Sequence, residues 1–416
     1  MASLLTLPLE ILQQILTGLT NSLPEPASLE SFVIPFDPDC TRRNLSTLAR
    51  LCQTCRYLRE IAEPALHRHV YIRDADVTSL VSLLKCWKAR PHCARYTRRL
   101  TIKTKLKLRY EGTTSRPQSI CIEDVDFVSG IIRNLGLKMR SDWFEHHWNT
   151  DVLLELAMIQ AQNALCVELL FQRRTGIYRT PFDMIPEPNQ TIKPIRFDNL
   201  RNLHLEPPDH NSTMDEFKHI LDCAPNLQGF RLESWITPQS LVPLPPNLTT
   251  LILPRINLTA FHLNRITSNS VMLRHLELGL DCYPRELNLL TAIAKHRNTL
   301  TSLALFSHRD ILIEKLETFH KLESFTTSVA SVRPGEFLGT LPYSLREFRI
   351  LEGDIYGSLQ AQPWFDAFCT TLEARARKPP KDLVIYKGCL KKEVNSLSDF
   401  PIGTREKISW TKMDRQ

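Results

Sequence analysis

Glycine is scarce in this sequence. The chain of 416 residues contains 13 glycines, against 27 prolines. This balance argues against glycine-rich phosphate-binding loops and favours many short elements separated by proline-containing turns. The glycine-lysine loop of nucleoside triphosphatases, the dinucleotide-binding glycine fingerprint, the H-E-x-x-H helix and the G-x-S-x-G elbow are all missing from the sequence. The sequence therefore offers none of these catalytic motifs, and we expect no cofactor.

The sequence also lacks a long uninterrupted apolar run. The longest apolar-looking segment, Asp151 to Phe171, is broken by charged and amide side chains, so it cannot cross a bilayer. The hydrophobic N-terminus has no basic region and includes Glu10, which indicates an amphipathic helix rather than a signal peptide. The 11 cysteines are scattered without a framework, which favours reduced thiols. We therefore expect a soluble protein of the cytoplasm, the nucleus or both, without a membrane contact.

Positive charge is concentrated in one segment. The net charge is +7, yet residues 95–109 alone hold seven basic residues and no acidic one. Elsewhere the signs nearly cancel, so no protein-wide field that gathers nucleic acid is indicated. The run could contact RNA, DNA or an acidic partner. Aromatic residues for base stacking occur only at its ends, at Tyr96 and Tyr110, and an edge strand protected by lysines explains the run equally well.

Length and composition indicate a folded chain with more than one core. Hydrophobic residues make up 43% of the sequence and charged residues 23%, close to the globular average. A single core usually stops growing near about 250 to 300 residues, unless repeats stack in one dimension. The length therefore predicts two domains or a repeat architecture.

Amphipathic helices are predicted within the first seventy residues. The segment Thr6-Leu7-Pro8-Leu9-Glu10 supplies a capping hydroxyl, a proline in the first turn and an acid near the positive helix end. Apolar residues then recur at helical spacing up to Leu19, and a second stripe runs from Leu45 to Ile61, where Pro64 ends it or opens a third helix. A polar insert over residues 20–43 separates the stripes. Helices this short cannot cover all of their own apolar surface, so another chain or the following domain should cover it.

The residues of these stripes resemble the F-box. Leu7-Pro8-Leu9-Glu10-Ile11 followed by Ile15-Leu16 is similar to its leucine-proline-x-glutamate-hydrophobic opening. Leu48, Leu51-Cys52, Arg56 and Leu58-Arg59 are similar to its later leucine-cysteine-arginine-leucine helix. Residues 61–70 and 90–102 resemble the segments that follow the F-box in many fungal members. The insert 20–43 departs from the pattern, because typical F-boxes join these helices by a shorter connection.

The resemblance implies a function in ubiquitin transfer. It implies substrate recruitment to a Skp-cullin-F-box (SCF) ubiquitin ligase, with catalysis done by other subunits, so the chain itself would not be an enzyme. The resemblance also implies that the helical unit binds a Skp-family adaptor, and through it a cullin-RING ligase. The residues implied in adaptor binding are Leu7, Pro8, Glu10, Ile11, Ile15, Leu16, Leu48, Leu51, Cys52 and Leu58. The alternative is that both stripes only pack on the following domain as a cap.

A short leucine pattern recurs in the second half of the chain. Leu-x-x-(Leu/Phe), mostly extended by x-(Leu/Ile), repeats with first leucines 21 to 27 residues apart. The seven copies begin at Leu200, Leu227, Leu248, Leu273, Leu300, Leu322 and Leu345. These intervals fit leucine-rich repeats, in which a strand and a helix or turn form each coil. We therefore predict an irregular leucine-rich-repeat solenoid, with weaker strand candidates at Thr97 to Ile102 and within Leu165 to Phe171.

The side chains that alternate with the buried ones should project from the concave face of such a sheet. Solenoids usually hold their ligands there. Mixed charge with some apolar residues suits a protein or peptide target better than a phosphate backbone, although plain solvation is the alternative for each single residue. The predicted target-binding residues are Asn202, His204, Glu206, Arg231, Glu233, His275, Glu277, Phe306, Glu347 and Arg349.

Two smaller patterns complete the sequence analysis. Asp76 or Thr78 is placed to cap a helix that carries apolar residues up to Trp87, after a strand near Val70 to Ile72. Cys52-x-x-Cys55 with His67-x-His69 offers the right ligand types for zinc. Both cysteines, however, fall on the apolar face of a predicted helix, where free cysteine behaves as a small hydrophobe. We therefore predict no metal site.

As a whole, the sequence predicts an α/β protein. Its parts are an F-box-like helical domain over residues 1–70, the solenoid over residues 71–390 and a polar C-terminal tail over residues 391–416. The expected partners are the Skp-family adaptor and an unknown protein substrate, and we do not expect nucleic acid. Two alternatives remain: a protein-interaction scaffold outside the ubiquitin pathway, and an RNA-associated repeat protein that uses residues 95–109.

Overall fold

The computed structural model divides the chain into two compact units. Unit 1 comprises Met1–Pro208 and Glu216–Leu227, and unit 2 comprises Asp209–Asp215 and Gln228–Gln416. The structure describes residues 8–21, 38–104, 121–137, 149–170, 195–206, 212–213, 217–233, 236–237, 242–256, 260–280, 289–307, 316–328, 341–352, 384–389 and 406–409. No helix within these ranges is both long enough and apolar enough to span a bilayer.

Three helices open unit 1. They are α1 (Leu9–Asn21), α2 (Pro38–Thr54) and α3 (Arg56–Arg68). The predicted helices are confirmed, but both extend into the predicted insert 20–43, so only residues 22–37 of it lie outside the described part. Helix α2 begins at Pro38, a position whose N–H would have no hydrogen-bond partner within the helix, so proline is tolerated there.

The break between α2 and α3 falls at Cys55. Its Sγ accepts a hydrogen bond from the N–H of Leu58 at 3.5 Å, which caps α3. Pro64 was predicted to end this helix or to open another, and that prediction is wrong, because Pro64 lies inside α3. Ala62 before it is buried and Leu66 after it packs on the same core, so packing on both sides holds the helix through the proline.

A small apolar core joins the three helices. Its buried members are Leu48, Cys52 and Ala62, and Leu48 has no exposed surface. The half-buried side chains packed around this core are Leu16, Leu19, Leu45, Leu51, Ala65 and Leu66. Because Leu16 and Leu19 come from α1, the core fixes which face of α1 points inward.

A parallel sheet follows in unit 1. Its strands are β1 (His69–Ala75), β2 (Arg99–Thr104), β3 (Cys166–Leu170) and β4 (Asn202–Glu206), each paired in parallel with the next. The weak strand predictions near residues 97–102 and 165–171 are therefore confirmed. The helices of this part are α4 (Val77–Ala89), α5 (Pro91–Tyr96), α6 (Ile122–Asn134), α7 (Asn149–Gln160) and α8 (Lys218–Cys223).

Helix α4 begins with the predicted cap. The Asp76 carboxylate accepts from the N–H of Ser79 at 2.8 Å, and the Ser79 hydroxyl accepts from the N–H of Asp76 at 2.9 Å. This reciprocal pair is a capping box, which satisfies two N–H groups at the helix end. The helix buries Leu80, Leu84 and Trp87, so the predicted apolar face is also confirmed.

Unit 2 is built on a second run of parallel strands. They are β6 (Gly229–Leu232), β8 (Thr250–Ile256), β9 (His275–Leu280), β10 (Ser302–Ser307), β11 (Ser324–Ser328), β12 (Glu347–Glu352) and β13 (Val384–Cys389). Each pairs in parallel with the next one in this order. Two-residue strands β5 (Ser212–Thr213) and β7 (Ile236–Thr237) pair with each other, and β7 also pairs with β8. The short helices α9 (Ala260–Ile266) and α10 (Leu289–Ala292) lie between strands.

The leucine pattern explains β4 of unit 1 and six strands of unit 2, which are β6 and β8 to β12. A strand begins two residues after each first leucine of the pattern, and all seven first leucines are buried. The fourth positions of the pattern face one another across neighbouring strands, for example Leu251 with Leu276 and Leu303 with Phe325. Phe325 and Phe348 continue this row as stacked rings 5.8 Å apart. The row is therefore the core of the sheet.

Two further features mark the sheet of unit 2. The register between β8 and β9 shifts between Leu253 and Ile256, where Pro254 lies, and a side chain on Gly279 would overlap the carbonyl of Pro254. At the other end, β14 (Glu406–Ser409) pairs with β13 and is antiparallel to it. This strand falls inside the segment predicted to be a polar tail.

Candidate functional site

Helix α1 has two apolar faces, and the described residues cover only one of them. Leu12 is 3% exposed, and Leu16 packs on the core of the three helices. Leu9, Ile11 and Ile15 are 43%, 39% and 41% exposed, and we call Ile11 and Ile15 the α1 patch. Ile11 and Ile15 are one helical turn apart, so they lie on the same side of α1. A large aliphatic surface is therefore presented outward at the start of the chain.

The beginning of α1 frames this patch. Pro8 is exposed, and its carbonyl accepts hydrogen bonds from the N–H groups of Ile11 and Leu12, both at 3.1 Å. Glu10 in the first turn is exposed as well, near the positive end of the helix. Leu7 lies outside the described residues. The predicted contact residues at this end are thus placed together on the outside of the unit.

The remaining predicted adaptor-binding residues lie inside. Leu48 and Cys52 form the core of the helical unit, and Leu58 is 5% exposed. Leu16 and Leu51 are half-buried against that core. The predicted set therefore separates into residues that shape the helical unit and residues that offer a surface. The sequence pattern could not separate them, because helical periodicity marks an apolar residue without saying which chain covers it.

Two outward apolar residues were not in the predicted set. Leu9 at the first position of α1 is 43% exposed, and Tyr57 at the start of α3 is 44% exposed. The signal for Leu9 was present in the sequence, because it stands inside the quoted leucine-proline-leucine-glutamate opening. For Tyr57 the signal is an aromatic side chain directly after the break at Cys55.

A buried ionic cluster lies on one face of the unit 1 sheet. Thr101, Glu168 and His204 are in register on β2, β3 and β4, so their side chains are neighbours on that face. Glu168 Oε2 lies 3.6 Å from Arg99 Nη2, and Glu168 Oε1 lies 3.3 Å from Lys103 Nζ and 3.6 Å from His204 Nδ1. Three basic groups thus surround one carboxylate.

Burial and charge set the protonation of this cluster. Burial alone would raise the pKa of Glu168, but the hydrogen bond with His204 and the charges of Lys103 and Arg99 outweigh it, so that pKa lies well below its usual range. Burial, and then the charge of Arg99, lower the pKa of His69 to about 3. At neutral pH the cluster therefore holds an ionised Glu168 beside a neutral His69.

The predicted target-binding residues do share one face within each unit. In unit 1 they are Asn202, His204 and Glu206, at alternate positions of β4. In unit 2, one row of paired residues runs across the strands from His275 through Ser302 and Ser324 to Glu347. A second row begins at Glu277 on the same strand as His275 and ends at Arg349. Their exposure differs, however, because several are buried in the structure.

Exposure divides the predicted face into two sets. Asn202, Arg231 and Glu277 are 2%, 5% and 2% exposed, so they present almost no surface. The half-buried members are His204, Glu206, Glu233, His275, Phe306, Glu347 and Arg349. Arg231 Nε donates to Glu233 at 2.8 Å, and Arg349 Nη2 lies 2.8 Å from Glu347 Oε2. Alternation along a strand predicted the face correctly, but it cannot predict how deeply a polar residue lies.

The basic run is partly neutralised within the described residues. Arg99 and Lys103 face Glu168, and the guanidinium of Arg98 donates to the carbonyl of Asn163 at 3.1 Å. Arg95 is exposed. Residues 105–109 lie outside the described part. The cations that the structure describes are thus mostly engaged with the chain itself.

The cysteine and histidine pattern of the sequence does not come together as one group. Cys55 caps α3, while His69 lies on β1 with its Nε2 3.4 Å from the Thr101 hydroxyl. A different trio does converge: the ligand atoms of Glu63, His67 and Cys93 all lie within 4.8 Å of one another. Sequence spacing could not predict this trio, because Cys93 is on α5 while the other two are on α3.

Comparison with known families agrees with the helical architecture. The family model described as F-box-like matches residues 4–73, which include α1, α2 and α3. No curated protein sequence matches the chain. The chain therefore contains an F-box-like helical domain, followed by a region of parallel strands.

Proposed function

We propose that this protein is a substrate-recruiting adaptor of an SCF-type ubiquitin ligase. The observation that carries the proposal is the α1 patch, because an uncovered aliphatic surface opens a segment that matches the F-box-like family. The helices bind a Skp-family adaptor, which links the chain to a cullin-RING ligase. The chain itself is a non-catalytic subunit, and the other subunits transfer ubiquitin.

The energetics of the α1 patch support binding to a partner. Fully burying one Leu or Ile side chain stabilises a complex by about 1.5 to 3 kcal/mol relative to leaving it in water. Ile11 and Ile15 already lose more than half of their surface within the chain, so each retains only part of this free energy for a partner. Glu10 and Pro8 lie at the edge of the patch, where they can give a partner polar and shape contacts. Direct contact then falls on these exposed residues, while Leu48, Cys52 and Leu58 hold the helices in place.

The parallel-strand region supplies the target-binding part of the proposal. Three observations support an irregular leucine-rich-repeat solenoid. The leucine pattern recurs every 21 to 27 residues, a strand follows each copy, and successive strands of unit 2 pair in sequence order. Within unit 2, target contact falls on the half-buried polar pair Glu347 and Arg349 and on His275. Asn202, Arg231 and Glu277 then position their neighbours rather than touch the target.

A reducing compartment is part of the same proposal. Cys52, Cys86, Cys93 and Cys166 are free thiols in the structure. Free thiols persist in the cytoplasm and the nucleus, because thiols are kept reduced there. We place the protein in one or both of these compartments, where the ubiquitin ligases of this class would meet it.

Capture of a purified Skp-family adaptor tests the proposal. The full-length chain should bind the adaptor, and the double variant Ile11→Ala/Ile15→Ala should lower the affinity by about 10-fold to 50-fold, because it removes the apolar contact and leaves the core intact. The control is Val271→Ala in unit 2, an aliphatic residue that is 68% exposed, and this variant should leave the affinity unchanged. Thermal unfolding of both variants should match the parent chain.

Two results would reject the adaptor function. One is the absence of any adaptor binding by the parent chain, and the other is binding that Ile11→Ala/Ile15→Ala leaves intact. Either result would favour the alternative scaffold outside the ubiquitin pathway. Partners that the double variant still retains would identify the target, because that variant lacks only the adaptor surface.

A further inference from the structure

The trio Glu63, His67 and Cys93 brings together three kinds of metal ligand. Glu63 and His67 are one turn apart on α3, so they lie on the same side of the helix. Cys93 lies on α5, which packs against α3. The carboxylate oxygen, the imidazole nitrogen and the thiol sulfur are all within 4.8 Å of one another.

The trio is enclosed rather than spread over the surface. Cys93 has no exposed surface, and the side chain of Glu63 is 15% exposed. His67 is half-buried. Ionisable groups in such a position are usually paired or coordinate a metal, because burial of an isolated charge is costly. Enclosure by two packed helices thus distinguishes this trio from a chance cluster on a surface.

Neighbouring side chains already orient the carboxylate of Glu63. Arg90 Nη1 donates to its Oε1 at 2.9 Å, and His92 Nε2 lies 3.1 Å from its Oε2. Ligating carboxylates are commonly held in this way by hydrogen-bond partners behind them. Burial would raise the pKa of Glu63, but the hydrogen bond with His92 and the charge of Arg90 outweigh it and lower that pKa. The carboxylate is therefore ionised at neutral pH.

The other two ligands differ in what they need before they can bind. Burial lowers the pKa of His67, so the imidazole is neutral at pH 7 and has a lone pair to offer. Burial, with Glu63 second, raises the pKa of Cys93 to about 11, so the thiol keeps its proton until a cation displaces it. A metal that binds here must therefore release about one proton at neutral pH.

We propose that Glu63, His67 and Cys93 bind a zinc ion, with a water molecule in the fourth position. Zinc is the common protein metal that accepts thiolate, imidazole and carboxylate ligands together in a tetrahedral site. Ligand atoms in such a site lie about 3.3 to 3.8 Å apart, so only small side-chain movements would close the trio around the ion. The ion replaces the proton of Cys93, and that proton passes to solvent.

The site would connect two parts of unit 1. Glu63 and His67 belong to α3, the last helix of the F-box-like segment, and Cys93 belongs to α5, which leads into β2. A bound zinc would fix α3 against α5 and so fix the three helices relative to the sheet. This inference does not rest on the proposed ligase function, because it concerns only the geometry of the trio.

Cobalt is the probe for this site. The full-length chain, kept reduced by a phosphine and stripped of metal, should bind one equivalent of Co²⁺. Binding should give the thiolate-to-cobalt charge-transfer absorption that a cysteine ligand produces. Zn²⁺ should displace the cobalt, release about one proton in weak buffer near pH 7 and raise the midpoint of thermal unfolding, and a chelator should reverse that shift.

Variants separate the trio from the other thiols and histidines. Cys93→Ser should abolish the charge-transfer absorption, and His67→Gln and Glu63→Gln should each weaken cobalt binding at least about 10-fold. The matched controls are Cys55→Ser, which keeps a capping oxygen at the start of α3, and His320→Gln at an exposed position. Both controls should bind cobalt as the parent chain does.

Two outcomes would overturn the zinc site. The parent chain itself could show no charge-transfer absorption at one equivalent of cobalt, a result that does not depend on the folding of any variant. Alternatively, the absorption could persist in Cys93→Ser or disappear in Cys55→Ser, which would assign the thiolate to another cysteine.

Discussion

Arg99 and Glu168 form a buried ion pair across β2 and β3, with Arg99 Nη2 3.6 Å from Glu168 Oε2. The side chains are 5% and 12% exposed. Lys103 adds a second cation 3.3 Å from the same carboxylate. The carboxylate of Glu168 therefore pairs with a buried cation and with a partly exposed one on this face of the unit 1 sheet.

Replacing Glu168→Gln should destabilise the chain strongly. The amide removes the negative charge and breaks the buried ion pair with Arg99, and breaking a buried pair typically costs about 3 to 5 kcal/mol. Urea unfolding at pH 7 measures the change. The control is Glu60→Gln, which breaks the exposed pair with Arg56 and should have almost no effect. Equal effects of the two substitutions would contradict the role of burial.

His69 should make stability depend on pH. Its pKa is about 3 in the folded chain because of burial and the charge of Arg99, and about 6.5 in the unfolded chain. Between these two pH values the unfolded chain binds more protons than the folded chain. The contribution of His69 to the free energy of unfolding is therefore fully present above about pH 6.5. It falls as pH decreases, by up to about 1.4 kcal/mol per pH unit.

The slope corresponds to the number of protons taken up on unfolding. The substitution His69→Gln should lower that number by up to about one between pH 7 and pH 5. Urea unfolding at several pH values measures the slope, which is independent of any constant loss of stability. Glu168 adds to the slope only at lower pH. Because its pKa is depressed in the folded chain, its stabilising contribution is fully present above the unfolded pKa of about 4.3 and is lost below it. A slope unchanged in His69→Gln would refute the assignment.

Gly279→Ala should destabilise unit 2. The added methyl group would overlap the carbonyl of Pro254 on the neighbouring strand, so the backbone must shift, at a cost of about 1 to 3 kcal/mol. Gly130→Ala is the matched control, since nothing lies within 4 Å of its new methyl group on α6. The control should stabilise the chain by about 0.5 to 1 kcal/mol. Thermal unfolding distinguishes the two, and a tolerated Gly279→Ala would argue against the close approach.

Leu48→Ala should destabilise the chain much more than Leu9→Ala does. Leu48 is fully buried, so its truncation should cost about 2 to 5 kcal/mol. Leu9 is 43% exposed, and its truncation should change stability by less than about 0.5 kcal/mol. Chemical unfolding measures both changes in stability. A stable Leu48→Ala variant would show that the core of the three helices lies elsewhere.

Much of the fold could be predicted from the sequence because leucine spacing reports burial. Each first leucine of the pattern is buried and is followed by a strand, and Asp76 does cap α4. Pro64 was misjudged, because a local rule about proline cannot see the packing of Ala62 and Leu66 on both sides of it. Local chemistry thus predicted where elements begin better than where they end.

The candidate sites were predicted less completely. The outward position of Ile11 and the inward position of Leu48 depend on contacts between α1, α2 and α3, which no single helix encodes. Asn202 and Glu277 fall on the predicted face but are buried there. The Glu63, His67 and Cys93 trio joins two helices distant in sequence, so only the folded chain brings its atoms together.

The antiparallel strand β14 has a consequence for the behaviour of the molecule in solution. It occupies one side of β13, whose N–H and C=O groups would otherwise be open to pairing. An open strand edge is a template on which other chains can add as further strands, and this leads to aggregation. Shortening the chain before Glu406 would remove this strand of four residues and leave the longer β13 as the edge, so loss of residues 406–416 should promote self-association.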